Sequence, residues 1–272
     1  WLETYYVYDI YGDLRYVLPP ECSSNLPEGF SFANHAYILN DWAFQYKYDG
    51  RNRMIEKKVP GAKRVLMVYD QYNLNRPVLT GVYDYGAMME NQIRTAINNN
   101  TSEARGSVVY GYTNNALPGV VDPEGYLTVT YYDDYIFDHA SSMSFAPYQG
   151  FDQERNQNIL GNVTGTKTKL LDESGWITSI NYYDDKYRLI QSQTQVPDFD
   201  LKLVTNAYNF VGELVKTRTD FDGKGIINEY FYDHMGRMLQ VDQKILENEN
   251  IASDIVLLKN EYNEIGELID KK

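Results

Sequence analysis

Three histidines, His35, His139 and His234, share no spacing that a metal site uses, and one cysteine, Cys22, offers neither a disulfide nor a thiolate cluster. The chain has no glycine-rich phosphate loop, no nucleophile elbow and no His-Glu-x-x-His pattern. The nearest approach to a metal loop is Asp220-Phe221-Asp222-Gly223-Lys224-Gly225. In one register Asp220, Asp222 and Gly225 take the first, third and sixth places of a calcium loop, but the twelfth is Phe231. In the other, Gly223 and Glu229 take the sixth and twelfth places, but the first is Arg218. Asp-Gly between apolar runs reads more simply as a hairpin turn. Carboxylates number 38, yet no convergent acid–base or nucleophile set stands out. The reading is therefore non-catalytic, with no metal and no cofactor. Flat rings with polar edges could stack on sugars, and the candidates outside any repeated pattern are Trp42, Tyr148 and Trp176.

The elements that would hold such residues are set by a repeat. An aromatic, a spacer, Tyr and then Asp or Asn recur, followed by two variable residues, a small residue, a spacer and Leu or Met. The copies centre on Tyr8-Asp9, Tyr48-Asp49, Tyr69-Asp70, Tyr132-Asp133, Tyr183-Asp184, Tyr208-Asn209, Tyr232-Asp233 and Tyr262-Asn263. Their steps are 40, 21, 63, 51, 25, 24 and 30 residues, so the unit is one supersecondary element with insertions. Asp or Asn opening a turn accepts a bond from the backbone two residues on, and a left-handed glycine closes a type I turn with a bulge. That slot holds Gly12, Gly212, Gly236 and Gly266, and Arg237 follows the clearest copy. Asn52 and Asn73 stand in the slot of the second and third copies, which asparagine tolerates. Ile136 and Tyr187 fill it in the fourth and fifth, so those two turns are expected to differ in type. The fold class is mainly β: antiparallel hairpins forming a curled or spiral sheet across 1–272.

Between the copies, Met88, Met89, Ile93 and Ala96-Ile97 form an amphipathic stretch that predicts one inserted helix near 84–98. Residues from Pro19 to Asn34 and from Ala140 to Asn158 read as loops.

These blocks resemble the tyrosine–aspartate repeats of the Rhs family. The likeness is sharpest in Leu127 to Tyr135, Val163 to Thr168 and Tyr232 to Leu239. It implies a spiral of hairpins from a secreted or cell-surface protein, in some members a cocoon around a C-terminal toxin. It also implies neighbouring repeats or that C-terminal domain as partners, and family repeats with glycan ligands. Asp122-Pro123-Glu124-Gly125-Tyr126-Leu127 is superficially like the family's self-cleavage segment. Five of the eight copies, counting the one at Tyr132, follow it, however, and a Pro-Gly turn entering a strand explains it. Sixteen strands at ~4.8 Å give a ribbon of roughly 77 Å, which closed on itself leaves a lumen near ~14 Å. A 100-residue toxin is more than ~30 Å across, so the expectation is a scaffold or one stretch of a longer shell.

Charge narrows the partners. Lys+Arg 25 against Asp+Glu 38 gives −13, which argues against nucleic acid and against an anionic membrane surface. No apolar run approaches the ~20 residues of a spanning helix. The first copy starts at Tyr6 and the last ends at Leu268, close to both termini. The expectation is a segment whose terminal strands pair with neighbours in a parent chain.

Overall fold

The computed structural model describes residues 3–32, 35–72, 74–83, 101–116, 125–137, 140, 142–151, 154–171 and 174–272. The helix expected near 84–98, His139, Asn73 and the first half of the Asp122–Leu127 segment lie outside them. The described residues are mainly β, with eighteen strands and two short helices. Two compact units result, Trp1–Thr130 and Tyr131–Lys272.

The first unit opens with β1 (Tyr5–Tyr8) and β2 (Leu14–Leu18), then α1 (Pro20–Ser24) and α2 (Ala36–Trp42). It continues with β3 (Phe44–Tyr48), β4 (Met54–Lys58), β5 (Arg64–Asp70), β6 (Pro77–Tyr83), β7 (Ser102–Glu103) and β8 (Arg105–Val109). β9 (Tyr126–Asp133) runs through the division between the units. Neighbours from β1 to β6 pair antiparallel in sequence order. β6 also pairs antiparallel with β9, while β5 pairs with β7 in parallel. The Pro19–Asn34 stretch is not all loop. Pro20 stands in the first turn of α1, where its missing N–H costs nothing. The fixed point is a small core of Leu18, Cys22, Leu39 and Ala43, with Val7, Tyr16, Leu26 and Phe30 against it.

A buried ion network holds α2 to the sheet. Arg64 donates to Glu56 at 2.5 Å and to Asn40 at 3.1 Å, and Gln45 donates to Leu39 O at 2.9 Å. Lys47 adds a second cation to Glu56 at 3.1 Å. Removing Glu56 would leave the buried Arg64 guanidinium without a carboxylate, the costly case for an ion pair.

The second unit is a meander. Its strands are β10 (Ile159–Lys169), β11 (Trp176–Tyr183), β12 (Leu189–Gln195), β13 (Lys202–Tyr208) and β14 (Leu214–Phe221). β15 (Lys224–Tyr232), β16 (Met238–Glu247), β17 (Asn250–Tyr262) and β18 (Leu268–Lys271) complete it. Each pairs antiparallel with the next. Burial is deepest at β11 and β12, where Ile180, Tyr182 and Ile190 pack with Met143, Phe137 and Phe145. The expected loop Ala140–Asn158 is the lid of that core. Tyr182 donates to Met143 O at 2.6 Å, Gln193 to Ser144 O at 2.8 Å, and Gln191 exchanges two bonds with Ala146. Gly165 has a packing duty: a Cβ there would lie 2.6 Å from Phe137, whose ring stacks on Tyr131 at 4.1 Å.

Candidate functional site

The repeated motif supplies the most ordered polar chemistry of the chain. Six of its eight copies fold into the same turn: Asp9, Asp49, Asp184, Asn209, Asp233 and Asn263. In each, the Asp or Asn N–H donates to the carbonyl four residues on at 2.9–3.0 Å. The N–H three residues on donates back at 3.0–3.1 Å. The side-chain Oδ1 then accepts from the N–H at the fourth position at 2.8–3.0 Å. In the four Asp copies it also accepts from the second position at 2.9 Å. A bulge falls at the motif tyrosine in every one.

Three slots depart from the sequence reading. Tyr187 was expected to change the turn type, yet it adopts φ 61° and keeps the shared hydrogen bonds. The four shared bonds outweigh the ~1–2 kcal/mol that a left-handed side chain costs. In the third copy the turn is longer: Asp70 N–H donates to Arg76 O and Asn75 takes a left-handed φ of 55°, while the expected Asn73 lies outside the described residues. In the fourth copy Tyr132-Asp133 ends β9 but no tight turn follows: β9 pairs with β10 only across the long 134–158 segment. The positive φ, 72°, sits on Asp133 rather than near Ile136, and the Asp133 carboxylate accepts from Gly161 N–H at 2.6 Å.

The residue four past the turn opener is the part that sequence reasoning used only at Arg237. Where the opener is Asp, an arginine clasps its second oxygen: Arg53 on Asp49 at 2.8 Å, Arg188 on Asp184 at 2.6 Å, Arg237 on Asp233 at 2.6 Å. Arg76 does the same for Asp70 at 2.8 Å across the longer turn. Where the opener is Asn, the partner is a carboxylate. Asn209 donates to Glu213 at 2.6 Å and Asn263 to Glu267 at 2.9 Å. Asp9 departs from both patterns, with Asp13 at that position and Arg15 at 3.6 Å. Donor and acceptor roles swap as a pair, and the swap is legible in sequence as Asp-x-x-x-Arg against Asn-x-x-x-Glu.

The motif tyrosine joins one hairpin to the one before. Tyr69 donates to Met54 O at 2.8 Å, Tyr208 to Leu189 O at 3.0 Å, Tyr232 to Leu214 O at 2.9 Å and Tyr262 to Met238 O at 3.1 Å. Each acceptor is the first residue of the preceding hairpin's return strand. The preceding arginine lies over the same ring: Arg53 on Tyr69 at 4.3 Å, Arg188 on Tyr208 at 4.9 Å, Arg237 on Tyr262 at 4.8 Å. Burial pushes the Tyr69, Tyr208 and Tyr232 hydroxyls up from their ordinary value, so they stay protonated donors at neutral pH. Burial alone would raise the Asp49 carboxyl. The hydrogen bonds from Arg53 and Arg51 more than offset it, and the group ends below the usual carboxylate range. Asp233 is also lowered, first by the Arg237 N–H.

The other candidate residues are scattered. Trp42 ends α2 in the first unit. Tyr148 has one face covered by Arg218 at 4.0 Å, and its hydroxyl donates to Glu249 at 3.1 Å. Trp176 opens β11 and lines a cavity of about 380 Å³ with Lys167, Thr178, Gln195 and Leu201. The calcium reading loses its ligands: both Asp220 oxygens accept from Arg218 at 2.8 Å. Asp222 and Gly223, at φ 51° and 68°, form the two-residue turn between Phe221 and Lys224. His35 stands at the N-terminal boundary of α2 without a side-chain cap, and His234 sits in a motif turn. Among the described residues no group of three or more His, Cys, Asp or Glu could hold a metal ion, and no helix is long and apolar enough to cross a membrane.

No family model matches this chain, and no curated protein does. Solved structures give weak matches. A crystal structure of TcdB2-TccC3-Cdc42 covers 100% of the chain at 15% identity and TM-score 0.30, and one of TcdB2-TccC3-TEV covers 100% at 16% and 0.26. A Tc holotoxin pore of Photorhabdus luminescens covers 99% at 14% and 0.25. The chain spans 14% of the length of each of these.

Proposed function

We propose that this chain is a non-catalytic structural and interaction module of a larger exported Rhs-type protein, serving as a scaffold or as one stretch of a toxin-enclosing shell. The observation that carries this reading is the inter-hairpin joint. Tyrosine hydroxyls, turn carboxylates and arginines are spent on one another and on the backbone of the preceding hairpin. Side chains so committed set the order and register of hairpins rather than present reactive groups. The test is the series Tyr208→Phe, Tyr232→Phe and Tyr262→Phe, singly and together. Each should cost about 1 kcal/mol in urea unfolding, and the triple about three times that. A triple variant as stable as the parent would remove the basis for the reading.

A second reading, a carbohydrate-binding module, rests on the Trp176 cavity alone, where an aromatic wall meets Lys167, Thr178 and Gln195. A glycan array in which Trp176→Ala abolishes a specific signal would favour it over the scaffold.

A further inference from the structure

The four hairpins of the second unit turn at the same end of a consecutive meander, after β11, β13, β15 and β17. Their tips therefore stand two strands, ~9.6 Å, apart along one rim. Turn tips face water and favour polar residues. These do not: Phe210 is 91% exposed, Val211 73%, Met235 70%, Ile265 80% and Tyr187 47%. At the opposite end the two-residue turns, Asp222-Gly223 and Asn248-Glu249, are polar, while the longer turns expose only Leu171 and Phe199 prominently. The shared turn does not demand apolar tips, because its bonds run through the backbone and the Asp or Asn opener. Together these side chains present roughly 600–700 Å² of apolar surface. That exceeds the few hundred Å² usual on a monomer and approaches the ~800 Å² per partner of a standard interface.

We propose that this rim is the contact face of a homodimer, in which two copies meet tip to tip, antiparallel about a twofold axis. A row of tips with a ~9.6 Å period is best matched by a row of the same period, and a second copy has that period by construction. The tip sequence is self-complementary in the antiparallel sense. In order the tips read Asp185-Lys186-Tyr187, Phe210-Val211, His234-Met235 and Glu264-Ile265. A twofold axis sets the first tip against the last and the second against the third. Lys186 then faces Glu264 of the second copy, and Phe210 and Val211 face Met235. The arrangement closes at two copies, whereas a parallel, staggered contact would propagate.

Sedimentation of the full chain across a concentration series tests this. The expected result is a monomer–dimer equilibrium, weakened at least about tenfold by Phe210→Ser with Met235→Ser, while the melting curve stays in place. Lys186→Glu and Glu264→Lys should each weaken the dimer about tenfold, since each puts two like-charged pairs in the interface, and the double variant should restore it. A monomer at every soluble concentration, or a dimer indifferent to the apolar pair, would overturn the proposal. So would charge variants whose combination gives no rescue, or a rim that binds zwitterionic vesicles while the chain stays monomeric.

Discussion

The pairing of Asp with Arg and of Asn with Glu predicts that the sixth turn can be converted into a copy of the seventh. Asn209→Asp replaces the Nδ2 donor, 2.6 Å from Glu213, with a second carboxylate. One hydrogen bond is lost, about 1 kcal/mol, and two like charges are left as neighbours, which adds up to about 1 kcal/mol at a half-wet site. The expected cost is about 1–2 kcal/mol. Glu213→Arg alone should cost about 1 kcal/mol through the same lost bond. Together they rebuild the Asp233–Arg237 clasp. The new arginine has room, because Glu213 Oε1 already lies 2.9 Å from the Cβ position of Gly236, as Arg237 Nη1 lies 2.8 Å from that of Gly266. It would also reach the Tyr232 ring as Arg237 reaches that of Tyr262. The double variant should recover close to parent stability, a coupling of about 2 kcal/mol in a urea double-mutant cycle. Below about pH 4, protonation of the new carboxyl should erase the Asn209→Asp penalty. If that single variant costs under about 0.3 kcal/mol, or the two changes simply add, the charge-matched clasp is not what holds the turn.

Two further outcomes follow from the same turns. Tyr187→Asn should raise stability by about 0.5–1 kcal/mol in thermal or urea unfolding, because asparagine tolerates the φ of 61° that tyrosine holds under strain; an unchanged or lower midpoint would mean the ring makes a compensating contact. Asp49 and Asp233 have carboxyls lowered in the folded state, so their contribution is present above the ordinary carboxylate pKa and lost as pH falls through the folded value. Urea midpoints should drop below about pH 4, and Asp233→Asn should flatten that dependence; an equal slope in the variant would count against the clasp.

The hairpins were legible because their turn chemistry is local. Asp or Asn, two residues, Gly and the period-two aromatics specify a bulged type I turn without reference to anything distant, and six copies obey it. Departures arose where distant contacts decide. Nothing local to Asp133 says that the chain leaves the sheet for the 134–158 segment. That path is set by Met143 and Ala146 meeting Tyr182 and Gln191 more than thirty residues away. Likewise α1 hides behind Pro19-Pro20, a breaker signal that is also a legitimate first turn, and only the Cys22–Leu39 core selects between them. Of the aromatics outside the repeat, Tyr148 looked available as a stacking platform, but sequence could not show that Arg218 covers its face.

The small residue in the slot answers two demands, and separating them explains where the repeat relaxes. One demand is the positive φ, common to Gly12, Asn52, Tyr187, Gly212, Gly236 and Gly266. The other is room for the preceding copy's side chain: Glu213 lies over Gly236, and Arg237 over Gly266. Gly212 has open space instead, because Arg188 is drawn to Asn209 O at 3.1 Å. Tyr187 follows the one copy that lacks a tight turn, whose clasp is missing, and it carries the φ cost. A β-carbon is therefore opposed on two counts at Gly236 and Gly266 and on φ alone elsewhere, where Asn52 and Tyr187 carry one. The slot thus reports on its neighbour as well as on its own turn: a bulky residue there marks a hairpin whose predecessor is missing or displaced. Tyr187 is that mark in this chain, and it falls where the hairpin array restarts after the 134–158 segment.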